Sequence, residues 1–244
     1  MSNFAETNYG TMPIAQAAES ARAEFLRAVG IKTMGSLLIT ALAAVGMMAA
    51  ILNGPAILTH RWVSLGIMLG GIYGAQFIGN SMTRSANPGT QTGGFVVGSA
   101  LSGIAISYVL LQAAALSAGV FGNPYNLILQ AGALVGMTLL GMVMYLMTGP
   151  KELSMLRAGL SVLFLPMLGL MAITWFFPVG GVMGLVFSAI FVLVSAGGLL
   201  YSLNNVMHQM STNQATAAAF MISSGIVILF WNILVLLMRL TSRD

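Results

Sequence analysis

Seven long apolar stretches constrain the fold of this 244-residue chain more than any other feature. A hydrocarbon core about 30 Å thick is crossed by roughly 20 apolar residues in a helix. Backbone amides find no water inside lipid, so each stretch is predicted to be helical, and the alternation typical of barrel strands is missing. We predict an all-α integral membrane protein, a seven-transmembrane-helix bundle with spans Met34–Leu52, Trp62–Met82, Gly93–Ala115, Leu127–Met147, Leu160–Phe177, Val179–Leu203 and Ala215–Leu237.

The predicted organisation has three parts. Residues 1–33 form a cytoplasmic amphipathic amino-terminal segment, residues 34–240 the seven-helix domain, and residues 241–244 a tail. A helix beginning near Pro13 would carry one apolar face, formed by Ile14, Ala18, Ala21, Phe25 and Val29. Such a helix either lies in the membrane interface or leads directly into the first span.

The basic residues bear on orientation. Six of them (Arg22, Arg27, Lys32, Arg84, Lys151 and Arg157) would share one side of the membrane, and three (Arg61, Arg239 and Arg243) the other. Basic residues favour the cytoplasmic side, which predicts a cytoplasmic amino terminus and an outside carboxyl terminus, in a bacterial inner membrane. The nine basic residues form no cluster, so nucleic acid is not an expected partner.

Ionisable chemistry is nearly absent from the predicted spans. The chain has no cysteine, and its two histidines, His60 and His208, fall at opposite membrane faces, so no metal site is expected. The five acids (Glu6, Glu19, Glu24, Glu152 and Asp244) all lie outside the spans. We expect no cofactor and no enzymatic activity. Calcium or another cation remains an open ligand, although no carboxylate within the spans supports it.

Small residues recur at four-residue spacing along several spans, which lets helix backbones approach closely. Gly66, Gly70, Gly74, Gly94 and Gly98 are the main candidates for helix packing. Packing within the chain is the preferred interpretation, and a face for oligomerisation is the alternative. The polar residues within the spans are interpreted as structural hydrogen-bonding groups: Gln76, Asn80, Gln112, Gln130, Ser202, Ser223, Ser224 and Asn232.

The segment from Leu200 to His208 ends the sixth span, Asn232 with Leu237-Met238-Arg239 lies in the last span, and Lys151-Glu152-Leu153-Ser154 lies between the fourth and fifth spans. These short segments resemble the Bax inhibitor-1 family of seven-helix membrane proteins. The segment from Leu200 to His208 is similar to the family's Tyr-Asp-x-x-x-Ile segment at the end of the sixth span. Asn232 with Leu237-Met238-Arg239 resembles the family's last span, and Lys151-Glu152-Leu153-Ser154 its Lys-Asp-Leu-Ser loop. The resemblance implies a seven-helix fold. It also implies a role in calcium leak, in stress regulation or in modulating a membrane protease.

The sequence departs from the family where the family carries two membrane aspartates that act as a pH-sensitive pair. Ser202 occupies the first position, and Leu229, or Ile226 in a shifted register, the second. A pair of carboxylates sharing a proton therefore cannot form. By the same resemblance, Arg84 matches a basic position that pairs with those acids, and it would need another partner such as Ser202 or loop carbonyls.

Three functions compete. The preferred hypothesis is a regulatory or structural subunit that binds other integral membrane proteins, a protease or a larger complex, within membrane lipid. The alternative is a pH-insensitive calcium or cation leak, with Arg84, Ser202, Asn204, Asn205 and Asn232 as the candidate pore or gating positions. A small-solute transporter is the third hypothesis, and no inverted repeat is visible to support it.

Overall fold

A computed structural model describes residues 13–147, 153, 159–160 and 181–242 of the chain. Within these residues, six helices are long and apolar enough to cross a membrane. The helices are α1 (Glu19–Asn53), α2 (Arg61–Gly74), α3 (Asn80–Thr83), α4 (Pro88–Phe121), α5 (Asn126–Met147), α6 (Gly181–His208) and α7 (Ala215–Thr241). A π-helical segment, Ala75–Gly79, joins α2 to α3, so that Arg61–Thr83 forms one span.

The all-α membrane class is confirmed. The six described spans correspond to six of the seven predicted windows, and most helices extend several residues beyond them. The predicted fifth window, Leu160–Phe177, lies almost entirely outside the described residues. Residues 1–12 and the Lys151–Ser154 loop apart from Leu153 also lie outside them. The count of seven helices therefore remains a prediction.

Local sequence signals set the ends of α4. The Asn87 side-chain oxygen accepts a hydrogen bond from the Gly89 amide at 2.9 Å, and Pro88 occupies the first helical position. Proline suits that position because its missing N–H would have no partner within the helix. At the other end, Gly122 adopts a left-handed conformation with φ 68°, which glycine reaches without the strain of a β-carbon.

The amino-terminal segment continues into the first span. Helix α1 runs unbroken from Glu19 to Asn53, so the predicted boundary at residue 33 falls inside one helix. Phe25 and Val29, on the predicted apolar face, are buried against α7, whereas Ala18 is exposed. Ahead of α1, the Ile14 amide donates to the Met210 carbonyl at 2.8 Å. This contact ties the start of the described chain to the turn between α6 and α7.

Helices α4 and α7 lie at the centre of the bundle. Helix α7 contacts α1, α4, α5 and α6, and α4 contacts α1, α2, α5 and α7. In α4, 56% of the most apolar 18-residue window is buried, compared with 17% in α6, so α4 is enclosed while α6 lies at the periphery of the described bundle. Apolar side chains of α4, α5, α6 and α7 form the larger core cluster.

Three buried serines join the central helices. The Ser36 hydroxyl on α1 lies 2.6 Å from the Ser99 hydroxyl on α4 and 2.7 Å from the Ser223 hydroxyl on α7. Beside them, the Thr40 hydroxyl donates to the Ser99 carbonyl at 3.0 Å. We call Ser36, Ser99 and Ser223 the serine cluster. Hydrogen bonds between helices stabilise a bundle in lipid, where the hydrophobic effect does not drive helices together.

The π-helical segment lies beside the closest packing between α4 and α7. The Phe220 ring of α7 is 1% exposed and lies against Gly79 and Gly98, where a β-carbon on either glycine would overlap it. The Thr83 hydroxyl donates to the Gly79 carbonyl at 2.6 Å, which provides a partner for a carbonyl at the end of the π turn. Turns of this kind occur often at functional sites in membrane and soluble helices alike.

Candidate functional site

Two adjoining cavities run along the bundle between the α2–α3 span on one side and helices α6 and α7 on the other. One has a volume of about 450 Å³ and includes Arg239 in its lining; the other has a volume of about 640 Å³ and includes Arg84. They share Gln76, Ser224 and Ile228. We call them the Arg239 cavity and the Arg84 cavity, and together the groove. Since α2 and α7 run antiparallel here, the two arginines mark opposite ends of the groove.

The Arg84 cavity brings together two residues that the sequence singled out. Arg84 follows the last residue of α3, and its side chain is exposed. Ser202 of α6 lines the same cavity, but its hydroxyl donates to the Gly198 carbonyl of its own helix at 2.9 Å. The Arg84 side chain forms no hydrogen bond or ion pair with any residue that the structure describes. Ser202 is therefore a neighbour of Arg84 across the cavity, and not its hydrogen-bond partner.

Asn232 belongs to the other cavity. It lies half-buried on α7 and lines the Arg239 cavity, where its side-chain amide donates to the Ile228 carbonyl at 3.0 Å. Because this bond is made within one helix, Asn232 does not join two helices in the described residues. Its side chain therefore lines the groove and does not bridge the described helices on either side of it.

Asn204 and Asn205 are not among the residues that line the two cavities, and their assignment as pore positions remains a prediction. Asn204 is 7% exposed, and its side-chain oxygen is buried without a hydrogen-bond partner among the described residues. The Asn205 carbonyl accepts hydrogen bonds from the Gln209 and Met210 amides, at 2.9 and 3.2 Å. Both residues lie in the last turns of α6, where they help to end the helix.

Gln76 occupies the junction of the groove, and sequence reasoning treated it only as a structural group. It lies in the π-helical segment and accepts a hydrogen bond from the Asn80 side-chain amide at 3.1 Å. The four-residue spacing of Gln76 and Asn80 is the signal that places both on one side of a helix. Arg239, the second charged residue of the groove, was also not among the site candidates predicted from the sequence.

The five candidate packing glycines divide into two groups. Gly94 lies against Met82 and Thr83, Gly98 against Phe220, and a β-carbon on Gly74 would be 3.4 Å from Leu101. Gly66 and Gly70 are exposed, and no described atom lies within 4 Å of the position of a β-carbon on either. The rotation of α2 explains the difference. Gly71 faces Leu101 and Ala105 of α4, whereas Gly66 and Gly70 face outward.

The groove carries positive charge and no described negative charge. Arg84 and Arg239 are its charged lining residues, and its remaining polar groups are amides and hydroxyls. Across the part of the chain that the structure describes, no three histidine, cysteine or acidic side chains come close enough to hold a metal ion. A cation entering the groove would meet repulsion at the Arg84 end, whereas an anion would be attracted there.

Comparison with family models matches residues 22–242, nearly the whole chain, to the family described as inhibitor of apoptosis-promoting Bax1. The chain belongs to the Bax inhibitor-1 family. A comparison with curated proteins gives no significant match. The family match therefore supports the resemblance noted in the sequence.

The two positions aligned with the family's second membrane aspartate lie away from the groove. Leu229 is fully buried in the larger core cluster, and Ile226 packs against both core clusters. The side of α7 that lines the Arg84 cavity with Ser202 consists of Met221, Ser224, Gly225 and Ile228. None of these four is acidic, so no carboxylate of α7 reaches Ser202 or Arg84 in this cavity.

Proposed function

We propose that this member of the Bax inhibitor-1 family is a non-enzymatic regulatory or structural subunit that binds other integral membrane proteins, such as a protease or a larger complex. The observation that carries the proposal is the outward face of α2, formed by Trp62, Gly66, Gly70 and Tyr73. We call it the glycine face. Its four residues are spaced by four, four and three positions, which places them on one side of a helix.

The glycine face has the features of a helix-docking surface. Trp62 is 64% exposed and Tyr73 51% exposed, and they flank two exposed glycines with no described atom within 4 Å of either β-carbon position. Glycines four residues apart let a second helix approach to backbone contact, and aromatic residues are enriched at protein interfaces. The occupant we propose is one transmembrane helix of another membrane protein. The remaining outer surface of the bundle contacts membrane lipid.

The interior of the bundle supports a non-catalytic role. The serine cluster is bonded across three helices, and most other described hydroxyls within the spans donate to carbonyls of their own helices, as Ser188 and Ser224 do. Such groups have no activating base and serve to hold the helices. This arrangement favours a scaffold that presents a surface over a catalyst.

Site-specific crosslinking tests the glycine face. A photoreactive residue in place of Tyr73 is expected to form an adduct with one defined membrane protein in native membranes, because a docked helix would pass within reach. The same residue in place of Leu140, which is 67% exposed on α5, is the control and is expected to give lipid adducts only. The adducts are identified by mass spectrometry.

Paired leucine substitutions complete this test. Gly66→Leu with Gly70→Leu is expected to abolish the Tyr73 adduct, since the added side chains hold a partner helix away. Gly132→Leu with Gly136→Leu, the same spacing on α5 with open space around both glycines, is expected to leave it unchanged. Lipid adducts alone at position 73, or adducts joining two copies of this chain, would contradict the proposed partner.

A cation leak is the second candidate, because the two cavities meet and so extend the groove along the span. Amides and carbonyls would line such a route, as they do in some channels. Arg84 opposes cation entry at its end of the groove, which is why the leak ranks second. Without a described carboxylate in the groove, any potassium or calcium flux from liposomes is expected to be equal at pH 6 and pH 8.

The proposed setting is a bacterial inner membrane with the amino terminus in the cytoplasm. Six basic residues on the amino-terminal side of the bundle against three on the other support this orientation. In this orientation Arg84 lies at the cytoplasmic end of the groove and Arg239 at the outer end. The glycine face then begins near the outer interface at Trp62, a position where tryptophan is common.

A further inference from the structure

We propose that the groove binds a long-chain fatty acid, with its carboxylate on Arg84 and its acyl chain running from the Arg84 cavity towards the Arg239 cavity. This inference goes beyond the proposed subunit role and does not depend on it. The glycine face lies on the outside of α2, whereas the proposed ligand lies between the α2–α3 span and helices α6 and α7.

The donors available in the Arg84 cavity belong mainly to the arginine and to the Gln76 side-chain amide. The Ser81 hydroxyl donates to the Ile78 carbonyl at 3.1 Å, and the Ser202 hydroxyl donates to its own helix. The Asn80 amide is bonded to Gln76. Arg84 makes no such contact with the described residues, so its guanidinium keeps its N–H donors for a ligand.

A carboxylate and a phosphate both match a single guanidinium, and a carboxylate on one acyl chain is the head group that we assign. Two parallel hydrogen bonds join the guanidinium and the carboxylate in a geometry that an ammonium or a neutral amide cannot reproduce. No acidic residue is among those lining the cavity, so nothing described there neutralises Arg84. The charge of the cavity is therefore complementary to an anionic head group.

The rest of the groove suits an acyl chain. Phe77, Leu199 and Ile228 line the Arg84 cavity beyond the arginine, and Ile72, Phe187 and Trp231 line the Arg239 cavity. The two volumes, about 640 and about 450 Å³, fall within the range of about 300–1,000 Å³ that small-molecule sites occupy. The two cavities share three lining residues, so a single extended acyl chain is the occupant that we assign to both.

Native mass spectrometry of the purified full-length protein tests this assignment, with palmitate as the probe. We expect one palmitate per wild-type chain and no binding of palmitate methyl ester, which has the chain but not the charge. Arg84→Gln is expected to weaken palmitate binding about tenfold or more, the effect of losing hydrogen bonds to a charged group. Arg27→Gln, an exposed arginine of α1 outside the groove, is the matched control and should bind as wild type does.

A second variant keeps the arginine and closes the passage. Ile228→Trp adds bulk where the cavities join, and it is expected to reduce palmitate binding even though Arg84 is unchanged. Unaltered palmitate binding in both Arg84→Gln and Ile228→Trp would overturn the proposal. Equal binding of palmitate and its methyl ester, or displacement of palmitate by an equal amount of phosphatidylglycerol, would overturn the choice of a fatty acid.

Discussion

Two regions of the bundle use polar residues in opposite ways. Where α1, α4 and α7 meet, the serine cluster joins three helices through hydroxyl pairs 2.6 and 2.7 Å apart. Along the groove, Asn232 bonds to a carbonyl of its own helix and Asn80 to a neighbour four residues away. The first region is closed, and the second holds cavities of about 450 and about 640 Å³.

The structural effect of a polar side chain therefore depends less on how polar it is than on which group it bonds to. A hydroxyl is short, so two hydroxyls can bond only when their helices are close, as Ser36 and Ser99 require. An amide side chain is longer, so it can form its hydrogen bond within its own helix. That helix then need not lie close to the next one. Polar residues in a membrane span therefore either close a helix interface or line an opening, according to where their hydrogen bonds go.

The closest approach in the closed region should be the most sensitive to change. A β-carbon on Gly103 would overlap the Thr40 carbonyl oxygen and lie 2.8 Å from the Ala43 side chain. Gly103→Ala is expected to lower the free energy of unfolding by about 1–3 kcal/mol, the usual cost of overpacking. Gly119→Ala, on the same helix with open space around it, is the control and should not destabilise the protein. Unfolding in denaturing detergent measures both variants, and equal stability of the two would refute the close α1–α4 contact.

Loss of the serine cluster should have the next largest effect. Ser36→Ala and Ser223→Ala are each expected to destabilise the bundle by roughly 0.6–2 kcal/mol, in the range measured for hydrogen bonds between membrane helices. The double variant should cost less than the sum of the two, because both remove the same bond. Ser64→Ala, whose hydroxyl donates only to the Arg61 carbonyl of its own turn, serves as the control. Strict additivity in this cycle would show that Ser36 and Ser223 are not bonded.

The smallest effect is expected in the groove. Asn232→Leu removes a bond made within α7, so the free energy of unfolding should change by no more than about 0.5 kcal/mol. The same variant in liposomes is expected to leave potassium and calcium flux unchanged at both pH 6 and pH 8. Destabilisation as large as that of Ser36→Ala would remove the contrast between the two regions. Acid-inhibited flux in the wild type would show that a titratable group controls the route.

Sequence reasoning predicted the spans well and the helix rotations poorly. Hydropathy reports the length of an apolar run, and the windows Leu127–Met147 and Ala215–Leu237 lie within one to four residues of the ends of α5 and α7. The position of the five acidic residues outside the predicted spans also follows from the sequence alone. The family resemblance rested on short motifs, and the family match over residues 22–242 supports it.

The contacts within the bundle could not be predicted, because hydropathy does not report which side of a helix faces its neighbours. Gly66 and Gly70 share a spacing with Gly94 and Gly98, yet only the second pair lies in a helix contact. Asn204 and Asn232 looked equally suited to a pore, but only Asn232 lines a cavity. Nothing in the local sequence distinguishes the members of these pairs, since rotation is set by packing across the whole bundle.

The π-helical segment Ala75–Gly79 has a consequence for the seam between the α2–α3 span and α4. In a regular α-helix each residue advances by about 100°, so residues eight apart drift by roughly 80° around the axis. The extra residue of a π turn offsets this drift to within roughly 20°. Gly71 and Gly79 can thus both meet α4, at Ala105 and at Gly98. Because the π turn already holds the extra residue, a one-residue deletion between them would leave a regular α-helix with both glycines still within roughly 20° of one line. A one-residue insertion would instead swing Gly79 by about 100° out of line with Phe220.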